Sequence, residues 1–264
     1  MPQEHDQNEL EMNSEIPRVF QKNFTVRSFD VGISSALNIF ALCRYLQEIA
    51  GLHAHLLNVS TEQLHDVGKT WVLREMAVEA DLSPRWRDDI SIVTWPTTRS
   101  CGVRAYRDFQ FFDKAENLLG VASSMWLMLD RQSLKPLKIP DSILAYGGPP
   151  ITPAPLRDLD LVEFDRHDVE IAKPFAVRLS DLDINQHVNN VSYVQLALEA
   201  ISEERFKHCQ LTKFQIKYLM EAKLGDTILS ESRTKQNVVE HQLRIESEDK
   251  VAVLMRSEWR QNKL

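Results

Sequence analysis

Apolar and polar residues alternate along several short segments of the chain, which is the pattern of strands with one buried face. Two such segments lie in the second half, with apolar positions at Phe214, Ile216, Tyr218 and Met220, and at Val251, Val253, Met255 and Trp259. Shorter ones lie in the first half, at Val72, Met76, Val78, Ile90, Val93, Phe109 and Phe111. The most apolar run, 118–129, is interrupted by Ser123 and Ser124. It is too short to span a membrane and is predicted to be a buried strand.

Helical spacing occurs at two places between these strands. The first helix is apolar on nearly all sides, through Leu37, Ile39, Phe40, Leu42, Tyr45, Leu46 and Ile49, so it must be buried on most of its surface. The second has apolar residues at Val191, Val194, Leu198 and Ile201. Asn189 and Asn190, which precede them, are strong capping residues. The pattern therefore predicts helices near 35–50 and 189–205.

The chain also repeats itself at an offset of 151 residues. The offset superimposes Phe24, Val26, Arg27, Asp30, Asn38 and Glu48 on Phe175, Val177, Arg178, Asp181, Asn189 and Glu199. Each half then consists of a short strand, one long helix and several strands. A long helix wrapped by an antiparallel sheet, present twice, predicts an α+β fold of the double hot-dog type.

A glycine- and proline-rich stretch that begins at Gly147 marks the boundary between the halves. We predict an N-terminal hot-dog domain at 17–146, a linker at 147–170 and a C-terminal hot-dog domain at 171–264. Residues 1–16 are acidic and rich in amides. They are predicted to form a disordered lead and not a targeting peptide.

Candidate chemistry is concentrated at 181–190, in the second half. Asp183, Asn185 and His187 lie two residues apart, so an extended segment would point all three side chains to one side, next to the positive end of the following helix. The repeat places Gly32, Ser34 and Ala36 at the corresponding positions. A polar triplet in only one copy favours chemistry over a requirement of the fold. The alternative is that Asp183 and Asn185 cap the helix and that His187 is an ordinary hydrogen-bonded residue.

Composition narrows the class of protein. The chain has 264 residues, 43% of them hydrophobic, which is enough to bury two cores. Cys43, Cys101 and Cys209 lie in apolar or helical contexts without CxxC spacing, so we predict structural roles and a cytoplasmic location. No cofactor or metal motif is present. A net charge of −7 without a basic run argues against nucleic acid, and we expect no membrane insertion.

The run Asp181-Leu-Asp-Ile-Asn-Gln-His-Val-Asn-Asn-Val-Ser-Tyr193 resembles the signature of the plant-type acyl-ACP thioesterases, where ACP is acyl carrier protein. Four further segments resemble that family's first half in the same order: Trp71-Val72, Trp86-Arg87-Asp88-Asp89, Ala122-Ser-Ser-Met-Trp126 and Lys138-Ile-Pro140. The resemblance covers roughly residues 20–260. The chain resembles a bacterial member of this family. The resemblance implies hydrolysis of the thioester between a fatty acyl chain and the phosphopantetheine arm of ACP.

The resemblance implies that Asp183, Asn185, His187 and Glu221 are catalytic. Ala222 stands where the family commonly has a cysteine, so a carboxylate or a water molecule must attack. Strand alternation puts Glu221 on the face opposite the apolar side chains of its strand. Without the resemblance, Glu221 would be interpreted as a solvated residue at a strand end. The first half, which lacks the triplet, is the expected host of the acyl chain.

Acyl carrier proteins are acidic, so a chain of net charge −7 needs a local basic face to bind one. The candidates are Arg85, Arg87, Arg104, Arg107, Lys213, Lys217 and Lys223. The alternatives are an acyl-CoA thioesterase that uses the same site, a non-catalytic acyl-binding protein, and a dehydratase. Serine-hydrolase chemistry is not supported, because the chain has no GxSxG motif. A double hot dog can be complete as a monomer, so monomer and homodimer are both expected states.

Overall fold

The computed structural model describes residues 17–156 and 161–262, and the predicted lead at 1–16 lies outside these residues. The strands are β1 (Phe20–Thr25), β2 (Lys69–Ala80), β3 (Asp89–Pro96), β4 (Arg104–Asp113), β5 (Leu118–Asp130), β6 (Ile171–Ala176), β7 (Cys209–Tyr218), β8 (Thr227–Lys235), β9 (Val238–Ile245) and β10 (Lys250–Gln261). The helices are α1 (Ile39–Leu56), α2 (Thr61–His65), α3 (Asp141–Leu144), α4 (Asn190–Glu199) and α5 (Glu203–His208). The apolar run after residue 117 is strand β5, as predicted.

All ten strands belong to one antiparallel sheet in the order β1-β3-β4-β5-β2-β7-β10-β9-β8-β6. Read outward from its centre, each half has the same sequence of strands, with β2 corresponding to β7 and β1 to β6. The central pair β2–β7 joins the halves through a short register from Glu75↔Lys217 to Glu79↔Lys213. This is the double hot-dog architecture that the repeat predicted.

The buried core runs continuously through both halves, whereas composition suggested two cores. Leu42, Leu46 and Ile49 of α1 and Val194 and Ala197 of α4 belong to one buried cluster. The cores merge because the sheet is continuous across β2 and β7 and because α1 contacts α4.

The repeat is visible in hydrogen bonds as well as in topology. In the first half, the guanidinium and the backbone N–H of Arg27 both donate to the Asp30 carboxylate at 2.9 Å. In the second half, Arg178 donates to Asp181 in the same way, at 2.9 and 3.0 Å. The side-chain hydrogen bond from Arg178 is the largest cause that holds the pKa of the Asp181 carboxyl below its ordinary value. Each pair anchors the turn that leads into the long helix.

Both predicted helix boundaries need correction. The first helix begins at Ile39 and not near residue 35, because Asn38 is its N-cap and accepts a hydrogen bond from Ala41 N–H at 2.7 Å. It continues to Leu56. The second helix ends at Glu199, and a separate short helix, α5, follows. The break occurs where Ser232 donates to the carbonyl oxygen of Ala200 and Ser202 caps the new helix. β7 likewise ends at Tyr218, so Met220 lies beyond the strand predicted to include it.

Two further residues differ from expectation. Arg107, a candidate surface cation, donates to His53 Nδ1 at 3.0 Å and to Thr94 Oγ1 at 3.2 Å in the interior of the first half. Burial, reinforced by this neighbouring cation, lowers the pKa of His53 to about 4. Cys101 is exposed and not packed in a core.

Candidate active site

The segment that carries Asp183, Asn185 and His187 is a tight turn and not the extended segment that the alternation predicted. Asp183 N–H donates to the carbonyl oxygen of His187 at 2.9 Å, and Gln186 N–H donates to that of Asp183 at 3.0 Å. Gln186 adopts a left-handed conformation, with φ of 63°, to close the turn. A turn abolishes strand alternation, so the side chains do not converge by parity. Asp183 and His187 are half-buried at the two ends of the turn, and Asn185 at its tip is exposed.

The Asp183 carboxylate is held by one of its two oxygens. Its Oδ1 accepts hydrogen bonds from Asn185 N–H at 2.8 Å and from His187 N–H at 3.4 Å. Its Oδ2 accepts no recorded hydrogen bond from the part of the chain that the structure describes. One oxygen therefore orients the carboxylate, and the other remains open to a reactant.

His187 and Glu221 lie next to each other, although strand alternation did not predict it. His187 Nδ1 is 3.1 Å from Glu221 Oε2, and the two side chains are 30% and 51% exposed. Glu221 follows the end of β7, so the alternation of that strand does not apply to it. With Nδ1–H donating to the carboxylate, the neutral imidazole has its unprotonated nitrogen at Nε2. The pair is therefore built to accept a proton at Nε2.

The backbone around Glu221 is fixed by contacts with the turn and with α4. Val188 N–H donates to the carbonyl oxygen of Ala222 at 3.0 Å, and Ala222 N–H donates to the hydroxyl oxygen of Tyr193 at 2.7 Å. Burial raises the pKa of Tyr193 well above its ordinary value, so this hydroxyl stays neutral. Tyr193 lies within the signature-like run, but only the structure shows that it holds the segment bearing Glu221.

The turn leads directly into the N-terminus of α4. Asn189 is the N-cap and accepts a hydrogen bond from Val191 N–H at 2.9 Å, which confirms the predicted capping role. Tyr218 donates to the carbonyl oxygen of Asn190 at 3.1 Å. The partial positive charge of a helix N-terminus stabilises negative charge nearby, so this end of α4 favours an oxyanion.

The first half contains the same turn without its polar side chains. Gly32 N–H donates to Ala36 O at 2.9 Å, and Ser35 has φ of 59°. Leu37 N–H donates to Pro84 O at 2.7 Å, which matches the bond from Val188 to Ala222 and places Ser83 where the second half has Glu221. The backbone therefore forms this turn with glycine, serine and alanine. The fold does not require the carboxylates and the imidazole of the second copy.

A narrow apolar cavity of about 30 Å³ lies beside the N-terminus of α4. Most of its lining comes from the first half, and its second-half wall includes Val191, Val194 and Tyr218. Three polar residues, Gln47, Ser124 and Asn190, are also part of the lining. The sequence predicts no place in a cavity for Gln47 or Ser124, because only tertiary packing brings α1, β5 and α4 together.

A thiol nucleophile and a metal centre are two other kinds of chemistry that such a site could contain. Cys43 lines the cavity, but burial raises the pKa of its thiol to about 12, so it is a poor nucleophile near neutral pH. Within 17–156 and 161–262, no three His, Cys, Asp or Glu side chains are grouped to bind a metal ion.

None of the helices in these ranges is long and apolar enough to cross a membrane.

The fold places the chain in the class of double hot-dog proteins. Residues 17–146 match the acyl-ACP thioesterase N-terminal domain, and residues 164–261 match the acyl-ACP thioesterase C-terminal domain. The chain therefore belongs to the acyl-ACP thioesterase family.

Curated relatives agree with this assignment. A palmitoyl-acyl carrier protein thioesterase of Cuphea hookeriana, described as chloroplastic, is 30% identical over 92% of this chain and 62% of its own length. A dodecanoyl-[acyl-carrier-protein] hydrolase of Cinnamomum camphora is 28% identical over 92% of this chain and 68% of its own length. The chain thus spans little more than three fifths of the first of these relatives, 62%.

Two solved structures share the fold. An acyl-ACP thioesterase from Bacteroides thetaiotaomicron superimposes with a TM-score of 0.83 at 22% identity, covering 92% of this chain and 98% of the other. A 12:0-ACP thioesterase from Umbellularia californica also gives 0.83 at 22% identity, covering 93% and 98%.

Proposed function

We propose that this protein hydrolyses the thioester of fatty acyl-ACP, releasing a free fatty acid and ending chain elongation in fatty acid biosynthesis. The observation that carries the proposal is the pairing of His187 with Glu221 at 3.1 Å, beside the turn that holds Asp183. The same turn in the first half has none of these side chains. Family membership supports the same activity and substrate.

In the proposed mechanism Asp183 takes a proton from the attacking water through its open carboxylate oxygen. A positioned base of this kind contributes roughly 10²–10⁴-fold to the rate. Glu221 orients His187, whose imidazole positions the water. The proton that Asp183 takes from the water passes to His187 Nε2, and the resulting imidazolium gives it to the departing thiolate, which leaves as the free thiol.

The N-terminus of α4 and the Asn185 amide stabilise the carbonyl oxygen as it becomes negative. One good donor at such a position contributes on the order of 3 kcal/mol. The Asn185 side chain makes no recorded hydrogen bond to the described part of the chain and is exposed. It is therefore available to the substrate without breaking an existing contact.

We place the acyl chain along the apolar cavity between α1 and α4, whose walls must move apart to admit a full chain. The cavity adjoins Asn190, the first residue of α4, so a chain lying in it would present its thioester to the catalytic turn. Apolar walls favour a hydrocarbon, since burying each CH₂ group is worth about 0.8 kcal/mol.

The partner is ACP carrying an acylated phosphopantetheine arm, and neither nucleic acid nor a cofactor enters the proposal. Three statements about this protein stay predictions from the sequence: a cytoplasmic location, no membrane insertion, and a monomeric or homodimeric state.

The proposal is tested by measuring thiol release from a panel of acyl-ACPs of different chain lengths and from the matching acyl-CoAs. We expect faster release from acyl-ACP, with one range of chain lengths preferred. Preference for acyl-CoA would replace the carrier with a nucleotide thioester. Tight acyl-ACP binding without thiol release would make the protein an acyl-binding protein.

A further inference from the structure

Large apolar side chains project into solvent around the candidate catalytic turn. Leu179, Ile184 and Leu224 are 75%, 76% and 54% exposed. Such exposure of several large apolar residues next to a site is typical of a surface that another molecule covers. With Lys223 they define what we call the turn surface.

Each member of the turn surface is tied to the candidate active site. Ile184 lies between Asp183 and Asn185 at the tip of the turn. Lys223 pairs with His187 in an antiparallel bridge, and Leu224 follows it. Leu179 starts the short 3-10 turn Leu179–Asp181, whose last carbonyl oxygen accepts Asn189 N–H at 2.8 Å. A protein that covers these side chains therefore covers the entrance to the catalytic turn.

We propose that the turn surface is where the carrier protein docks. This inference rests on the proposed function, because it assumes that the substrate arrives on ACP. The arm must deliver its thioester to Asp183, so the body of the carrier must lie against the rim of this turn. The apolar side chains bind an apolar strip of the carrier. Lys223, whose ammonium forms no ion pair with the described residues, pairs with a carboxylate of this acidic partner.

The first half supplies a surface of the same construction without the chemistry. Ile33 and Trp86 are 74% and 59% exposed, and they correspond to Ile184 and Leu224. Trp86 lies in the turn in which Arg85 N–H donates to Asp88 Oδ2 at 2.8 Å. Leu224 lies in the matching turn, in which Lys223 N–H donates to Asp226 Oδ2 at 2.8 Å. The first-half residues are therefore controls of matched exposure and backbone.

The experiment compares Leu224→Asp with its counterpart Trp86→Asp in the full chain. The substrates are acyl-ACP and the same acyl group on free pantetheine, which has no carrier to dock. We expect Leu224→Asp to raise KM for acyl-ACP about tenfold or more, since it buries a charge against an acidic partner. Its kcat/KM on acyl-pantetheine should change less than about twofold, and Trp86→Asp should leave both substrates unaffected.

A second pair of variants, Lys223→Glu and Arg85→Glu, is compared on the same two substrates and changes only charge. This pair tests the proposal even if Leu224→Asp does not fold. Lys223→Glu should raise KM for acyl-ACP, and Arg85→Glu should not. Three results would overturn the docking proposal: equal effects of the two halves, no effect on acyl-ACP, or equal losses on both substrates. Wild-type protein that releases no thiol from either substrate would instead refute the proposed function.

Discussion

Replacing Asp183 by Asn separates chemistry from folding at the candidate site. Asparagine keeps an oxygen at the position of Oδ1, so it can still accept the hydrogen bonds from Asn185 N–H and His187 N–H, at 2.8 and 3.4 Å. The substitution removes the negative charge and places an NH₂ group where the open oxygen was. The turn should therefore survive, while the proton acceptor is lost.

The two expected losses differ widely in size. A hydrogen bond to an ionised acceptor is roughly twice as strong as a neutral one, and a neutral bond contributes about 0.5–1.5 kcal/mol. With one short and one long bond affected, we expect about 1 kcal/mol of lost stability, or a fall in Tm of about 2–4 °C. Loss of a positioned base should lower kcat by about 10²–10⁴-fold, which is about 3–5.5 kcal/mol in the activation barrier.

The assay is steady-state thiol release from acyl-ACP, with thermal unfolding of the same preparation. Asp81→Asn is the control, because Asp81 Oδ1 accepts Ser83 N–H at 3.0 Å in a comparable local bond of the first half. We expect this variant to keep its activity. Near-normal turnover by Asp183→Asn would refute the role of Asp183. A large fall in Tm with a proportionate loss of active protein would instead return Asp183 to the structural alternative.

Three further outcomes are expected. A single turnover in H₂¹⁸O should place the label in the released fatty acid and none in Asp183, because a base that only takes a proton exchanges no oxygen. Label in the Asp183 carboxylate, found by peptide mass, would show direct attack. Ala50→Leu enlarges a side chain of the cavity wall and should shift preference to shorter acyl chains. Ala197→Leu, buried in α4 outside the cavity lining, should lower stability by overpacking without that shift. The free energy of unfolding, measured with denaturant, should fall as pH falls from about 6.5 to about 4. Burial lowers the pKa of His53 and His241 to about 4, so the unfolded chain binds these protons first. A flat profile, or an unchanged slope in His53→Gln, would contradict this assignment.

Much of the architecture could be predicted because it depends on local or repeated patterns. The 151-residue offset aligned Arg27 and Asp30 with Arg178 and Asp181, and both pairs form the same contacts. The position of Asn189 before apolar residues at helical spacing predicts its capping role. The break after Glu199 was not predictable, because it depends on Ser232 of β8, which contacts the helix only after the sheet has formed.

The same distinction between local pattern and tertiary contact applies to the candidate site. The sequence alone determined which residue types could do chemistry, since carboxylates, an amide and an imidazole are concentrated in one copy of a repeat. Tertiary structure decided their arrangement. A hydrogen-bonded turn overrides strand alternation, so Asn185 points outward. Glu221, 34 positions after His187 in the sequence, reaches its imidazole because Tyr193 and Val188 hold the backbone after β7. Such contacts join segments distant in the chain, and alternation or helical spacing describes only neighbours.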